Sequence, residues 1–441
     1  MPPPDSAPDQ RPADNLSSDE RPSSGRYSPL QFTALFAAAA LAFLGNGLQS
    51  TLTGVRASAE QMPNQTIGLV MSSFFLGYLV GSLLAPHLIQ RVGHIRTFAA
   101  FASTASGLAL AFPIFVDPAV WIGLRLLNGA CFAGMLIIVE SWLNAGSSSA
   151  VRGRTLAAYG IVVYLAWALS QPLLTLAPPG GFVLFCLVSM LLSFSLVPLA
   201  LTRAGTPGTV LADRVGLRRL FSVSPTAVVG SLSLGLGVSA FWGMAPAWGE
   251  QVGLPYERLS SFLSTVLLGA LVLQWPLGWL SDLLDRRLVL GLSLLSAMAA
   301  AAVLWAIAGN GTPFLFTLAF LLGGLAMPSY ALCVAHANDH VDTNEVVAVS
   351  SGLLIVYGAG SAAGPVLASL AMNLLGPSWL FAVVGFWLLV AGAYALSRMV
   401  MEPTERGYAK PGYVAVPQTS HSALAMHEHG GGEPEAERAP Q

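Results

Sequence analysis

Long apolar runs, each broken off by a short cluster of polar and basic residues, recur along the chain from residue 31 to residue 400. They divide into twelve stretches, near 31–53, 66–89, 97–116, 119–143, 155–177, 181–202, 225–247, 259–281, 288–309, 313–337, 346–373 and 379–400. A helix needs roughly 20 mainly apolar residues to cross the ~30 Å hydrocarbon layer, and each stretch is long enough. The alternating ten-residue pattern of membrane-spanning strands is missing from them. The pattern predicts an all-α integral membrane protein with twelve transmembrane helices.

Composition narrows this further. Hydrophobic residues make up 54% of the 441, charged residues 10%, and the mean hydropathy is +0.66, more apolar than any water-soluble core could bury. With the amino terminus inside, 17 of the 20 Lys and Arg fall on that same side, Arg56 and Arg258 fall outside, and Arg125 sits within a span. The positive-inside rule then puts both termini in the cytoplasm. Residues 1–29 and 401–441 are polar, Pro-, Ser- or Gly-rich, and are expected to be disordered cytoplasmic tails. The first tail lacks the basic-then-apolar order of a cleavable signal, so the first span serves as the targeting element. Cys131, Cys186 and Cys333 all lie inside spans and read as small core residues, with no disulfide framework.

An internal repeat sets the architecture. The longest and most basic linker, 203–224, carries Arg203, Arg214, Arg218 and Arg219 and separates a six-helix bundle over 30–202 from a second over 225–400. At an offset near 193 residues, Tyr164 falls on Tyr357, Pro172 on Pro365, Gly129 on Gly323 and Asn144 on Asn338. The Gln90–Gly93 turn falls on Asp282–Asp285. Parallel six-helix repeats with a substrate cavity between them are the plan of one large class of secondary transporters.

Turn and span motifs add a resemblance. Gly278-Trp-Leu280-Ser-Asp282-Leu-Leu-Asp285-Arg286-Arg287 resembles the Gly-x-Leu-x-Asp-Arg-x-Gly-Arg-Arg signature of the major facilitator superfamily, and Arg125-Leu-Leu-Asn128-Gly129 its Arg-x-x-Gln-Gly motif. Asn46-Gly-Leu-Gln49-Ser-Thr-Leu-Thr-Gly-Val-Arg56-Ala and Glu140-Ser-Trp142-Leu-Asn144 look like its YcaD-like branch. The resemblance covers residues 31–400 and implies a bacterial inner-membrane transporter with two six-helix pseudo-repeats. The chain departs from the pattern where Gln90 replaces an acidic residue, and where Leu283 and Asp285 replace Arg and Gly. Span 5 has Ser170-Gln171-Pro172 where antiporters of the superfamily carry a Gly-rich run ending in Gly-Pro.

Buried polar residues carry the candidate chemistry. Arg125 lies about six residues into its span, roughly 9 Å deep. It is either functional, with a coupling role shared with Asn128 by resemblance, or a structural arginine bonded to carbonyls. Glu140 stands about 22 Å further along that helix, at the cytoplasmic end, within reach of Arg91, Arg96, Arg152 or Arg154. A gate and a permanent salt bridge are both open for it. Asp282, with Arg286 and Arg287, is expected to meet the amino end of a neighbouring span, span 11 by resemblance, and to close the cytoplasmic side in one state. Simple topology of a tight turn is its bland alternative.

Asn46, Gln49, Thr53 and Arg56 recur every three or four residues on one face of span 1, which suits a cavity lining or a hydrogen-bonded helix contact. Tyr164, Trp167, Gln171, Trp242, Gln274, Tyr330 and Tyr357 complete the candidate cavity, against the plain reading that a membrane tryptophan or tyrosine fills space.

Other chemistries lack their residues. His336 and His340 have the spacing of a zinc pair without a third ligand, so no metal is expected. Lys410, the single lysine, is not in a phosphate-binding loop. No nucleophile–base pair of an intramembrane enzyme is apparent, nor a channel filter motif. The reading is a monomeric secondary transporter of a small neutral or anionic organic solute, driven by protons, with no cofactor and no nucleic-acid partner. An uncoupled facilitator and a membrane sensor on a transporter scaffold are the alternatives.

Overall fold

The computed structural model describes residues 29–147, 149–201, 216–307, 314–342 and 345–401, apart from the side chains of 29–31 and 149–152. The tails, most of the linker and the side chain of Arg152 lie outside these.

In the first half α1 (Pro29–Ala59), α2 (Asn64–Val92), α3 (His94–Ile114) and α4 (Pro118–Gly146) are continuous. Then α5 (Ser149–Ser170) runs into a 3-10 turn at Pro172–Leu176, and α6 (Val183–Phe194) and α7 (Leu196–Ala200) form one crossing. A short α8 (Leu217–Val223) precedes the second half. There α9 (Pro225–Gln251), α10 (Tyr256–Leu283), α11 (Arg286–Ile307), α14 (Val346–Leu375) and α15 (Trp379–Met401) are continuous, and α12 (Leu315–Ala326) with α13 (Ser329–Asn338) forms one crossing. Among the described residues twelve helical segments are long and apolar enough to span a bilayer. The protein is a multi-pass membrane protein of two contacting helical bundles.

Local chemistry explains starts and breaks. Asp117 accepts from the Val120 N–H at 3.0 Å and Ser224 from the Ala227 N–H at 3.2 Å, each followed by a proline at the first helical position. Within the tenth span the helix is interrupted at Met327–Pro328, because proline has no N–H for the helical ladder. Pro172 likewise tightens the end of the fifth crossing into a 3-10 turn.

With no hydrophobic drive between helices in lipid, small residues that let backbones approach hold each bundle. Gly77 of α2 abuts the Leu126 carbonyl of α4 and Gly129 abuts the Phe74 carbonyl, leaving no room for a side chain. Their counterparts Gly269 and Gly323 abut the Phe320 and Val266 carbonyls between α10 and α12. Phe74 to Val266 is a step of 192 residues and Gly129 to Gly323 one of 194, so the sequence repeat is also a repeat of packing. Lipid-side positions such as Trp275 and Trp279 of α10 stay exposed.

We call the end bearing α8 the linker end and the opposite one the far end. The bundles meet through α1 with α9, α2 with α14 and α5 with α10. Named contacts cluster toward the far end: Gln251 Nε2 donates to Asn64 Oδ1 at 2.6 Å, and Ser264 Oγ donates to the Ala168 carbonyl at 2.9 Å. Gly54 packs on Pro246, Gly68 on Ser369 and Pro365, and Gly243 on Pro365 and Met71. Half way along, Gly358 faces Leu79.

Candidate functional site

Two clusters of buried polar groups stand out, one within the first bundle beside the seam and one at the linker end.

The first is built by α1, α2 and α4. Arg125 is fully buried; its Nη2 donates to Ser50 Oγ at 3.3 Å and its guanidinium lies over the Phe74 ring, 4.4 Å from the centroid. Its Nε and Nη1 have no hydrogen-bond partner, and no carboxylate among the described residues pairs with it. One helical turn on, Asn128 Nδ2 donates to Gln49 Oε1 at 3.0 Å. Gln49 Nε2, Asn128 Oδ1 and Asn46 Oδ1 are buried without a partner. The polar face of span 1 thus meets the polar face of span 4, with hydrogen-bonding capacity left over. Thr53 is occupied differently, donating to the Gln49 carbonyl at 2.7 Å within its own helix.

Other cavity candidates are spread along the seam. Arg56 stands at the far-end rim, paired with Glu60 at 2.6 Å and donating to the Pro179 carbonyl at 3.3 Å and to that of Gly180, so it ties down the loop after α5. Gln171 is buried between α1 and the end of α5, where its Oε1 accepts from Thr51 Oγ1 at 2.7 Å. Trp167 and Trp242 meet across the bundles at 4.6 Å between ring centroids, and Trp167 also abuts Gly47 of α1. Tyr330 and Tyr357 contact at 4.8 Å, and Tyr164, the repeat mate of Tyr357, is buried on α5. Gln274 is buried on α10.

At the linker end of the second bundle, Arg286 is buried and bridges Asp339 at 2.8 Å and Asp282 at 3.4 Å, joining α10, α11 and the end of α13. Arg287 pairs with Asp285 at 2.9 Å and donates to the Arg398 carbonyl of α15 at 3.3 Å. In the first bundle Arg91 is exposed, while Glu140 is buried and accepts from the Tyr159 hydroxyl at 3.2 Å. At the repeat position of Arg286 stands His94, stacked on Trp142 at 5.6 Å. Among the described residues, the second bundle, where the sequence keeps the acidic turn residue, holds a linked set of buried arginines and aspartates.

Sequence reasoning missed several partners: Ser50 and Phe74 for Arg125, Tyr159 for Glu140, and Asp339 for Arg286. Asp339 was visible only as a spacer between two histidines, His336 and His340, whose rings contact at 4.7 Å. The sequence places that string at the end of span 10, beside Asn338, the repeat mate of Asn144, and only packing brings Asp339 onto Arg286.

Comparison with known proteins agrees with this geometry. The sequence model of the Major Facilitator Superfamily matches residues 35–255 and 227–414. An uncharacterized MFS-type transporter of Yersinia pestis is 27% identical over 341 residues, covering 76% of this chain and 87% of the relative. The uncharacterized MFS-type transporter YcaD of Escherichia fergusonii is 26% identical over the same shares. Among solved structures, the nucleoside transporter NupG superposes with a TM-score of 0.71 at 14% identity, over 86% of this chain and all of that one. A bacterial homolog of the human lysosomal transporter Spinster, inward-facing and unoccupied, gives 0.64 at 14% identity, over 91% and 98%. Two contacting helical bundles, repeated packing and a family match over both halves lead to one conclusion: the chain belongs to the major facilitator superfamily of secondary transporters, moving a small solute by alternating access, and its relatives set it on the YcaD-like branch.

Proposed function

We propose that this protein couples movement of a small organic solute to the proton gradient across a bacterial inner membrane, with both termini and the 203–224 linker in the cytoplasm. The basic bias of the linker end supports that orientation. In it, the far-end contacts of α1 with α9 and α2 with α14 close the outer side.

The observation that carries coupling is Arg125, held inside a span with no ion pair among the described residues. A buried charge without a counter-ion is costly, so its compensation must change as solute and ion come and go. Asn128 shares that role through Gln49. Arg91, Glu140, Arg152, Asp282, Arg286 and Arg287 form the cytoplasmic gate, remade between states. The solute path follows the seam past Tyr164, Trp167, Trp242, Gln274, Tyr330 and Tyr357, beside Asn46, Gln49, Thr53, Arg56 and Gln171. A monomer suffices, since both halves are in one chain.

A second reading, an uncoupled facilitator, is favoured by one fact: among the described residues, Asp and Glu occur toward the ends of the spans and not at their middle. Proteoliposomes with an internal pH dye decide between them. Solute-triggered proton flux lost in Arg125→Gln supports coupling. Solute movement with no proton flux, equal in Arg125→Gln, leaves the facilitator.

A further inference from the structure

We infer that Arg125, with Asn46, Gln49 and Asn128, is the binding site for the head group of a small monoanionic hydroxy acid, which is the solute class this transporter carries. The inference rests on the transport reading above and adds the chemistry of the solute.

Charge comes first. Arg125 is fully buried, with two of its three nitrogens unpartnered. A guanidinium offers a planar fork of donors that matches a carboxylate, and a charge-assisted pair there would supply the missing counter-ion. Arg56, two turns nearer the far end, is already tied to Glu60 and to loop carbonyls. Among the described residues of this cluster one uncompensated positive charge is left, which matches one carboxylate and not a dicarboxylate or a cation.

The neutral groups specify the rest. Asn128 donates to Gln49, and the pair leaves one buried N–H group and one buried carbonyl oxygen open. Exchanging both amide orientations gives the same remainder, so the point does not depend on which end is nitrogen. Asn46 Oδ1 adds a second buried acceptor one turn along α1. Acceptors beside a carboxylate subsite call for a neutral donor, and a hydroxyl provides it. An ammonium is disfavoured, because among the described residues no carboxylate is bonded to these amides to balance a second positive charge.

The site is also reachable from the seam. Ser50, which holds Arg125, is only half-buried. Phe74, beneath the guanidinium, is three residues from Met71, which abuts Gly243 of the other bundle. Gly47, next to Asn46, touches Trp167, whose ring meets Trp242 across the interface. Closure of the halves would therefore compress the same groups that hold the anion.

The test is calorimetric binding to the purified full-length protein in detergent, with glycolate, lactate, mandelate and gluconate as probes. Propionate, methyl lactate, methyl mandelate and inorganic phosphate serve as comparisons. At least one hydroxy acid binds, its ester does not, and Arg125→Gln weakens binding roughly 30-fold or more. Arg125→Lys restores part of it, since an ammonium lacks the fork. Asn46→Ala reduces the preference for lactate over propionate. Without ligand, Arg125→Gln should melt no lower than the parent, because an unpaired buried charge has been removed. Binding of no acid, equal binding of acid and ester, binding of phosphate alone, or an unchanged affinity in Arg125→Gln overturns the inference. Arg125-dependent acid binding without proton flux would sink only the coupling reading. Proton flux driven by neutral solutes, with no acid bound, would sink only this site.

Discussion

Replacing Gly68 by alanine drives a methyl group into the seam between the two bundles. A Cβ built there lies 2.6 Å from Ser369 Cβ and 2.9 Å from the Pro365 carbonyl oxygen, both on α14 of the other half. Carbon atoms prefer separations of about 3.5–4.0 Å, and overpacking of this kind costs about 1–3 kcal/mol. Because α2 and α14 belong to different bundles, the cost falls on the conformer in which the far end is closed. At about 1.4 kcal/mol per tenfold change, the equilibrium should shift roughly 5- to 150-fold toward the opposite conformer. A cysteine at Met71 reports it: the side chain is 1% exposed and touches the same seam. In a background without Cys131, Cys186 and Cys333, the rate of maleimide labelling at Met71→Cys should rise when Gly68→Ala is added. Gly291→Ala, which crowds Leu396 within the second bundle, should lower the melting temperature and leave that rate unchanged. An unaltered labelling rate in a Gly68→Ala protein that melts like its parent would show that the seam gives way locally. Rigid-body opening along these helices would then be wrong.

Asp339→Asn removes a partner of the buried Arg286, and because Asp282 remains at 3.4 Å the loss should be about 3 kcal/mol, at the low end for a broken buried pair. A melting curve checks it, and Arg286→Gln added to Asp339→Asn should recover part of the loss. Trp121→Phe removes an indole N–H that donates to the Phe112 and Phe115 carbonyls at 3.2 and 2.7 Å, joining α4 to the end of α3. The expected cost is about 1–3 kcal/mol, read as a lower melting temperature with solute binding unchanged.

Much of the fold was legible in the chain because lipid leaves few choices. A run long enough to cross and apolar enough to stay must be a helix, so the twelve spans follow from pattern alone. Detail inside a span was not legible: Pro328 splits the helix of the tenth crossing and Pro172 tightens the end of the fifth, and neither disturbs hydropathy. The candidate site was only partly legible. Helical spacing put Asn46, Gln49 and Thr53 on one face, but which helix that face meets depends on packing. Arg125 was marked by its cost in the membrane, while Ser50 and Phe74, which receive it, have no such mark.

By itself the sequence determined that this is a membrane protein, how many times it crosses, its duplicated plan and which few polar residues are costly enough to need explanation. These follow from transfer free energies and periodicity, which are properties of single segments. Only the tertiary structure decided that Arg125 lies on Phe74 without an ion pair among the described residues, that Arg286 is shared between Asp282 and Asp339, that Arg56 anchors a loop, and that the halves touch toward the far end. Each of these is a contact between residues distant in the chain. It is set by which small residues let two helix backbones approach, and no single segment encodes that.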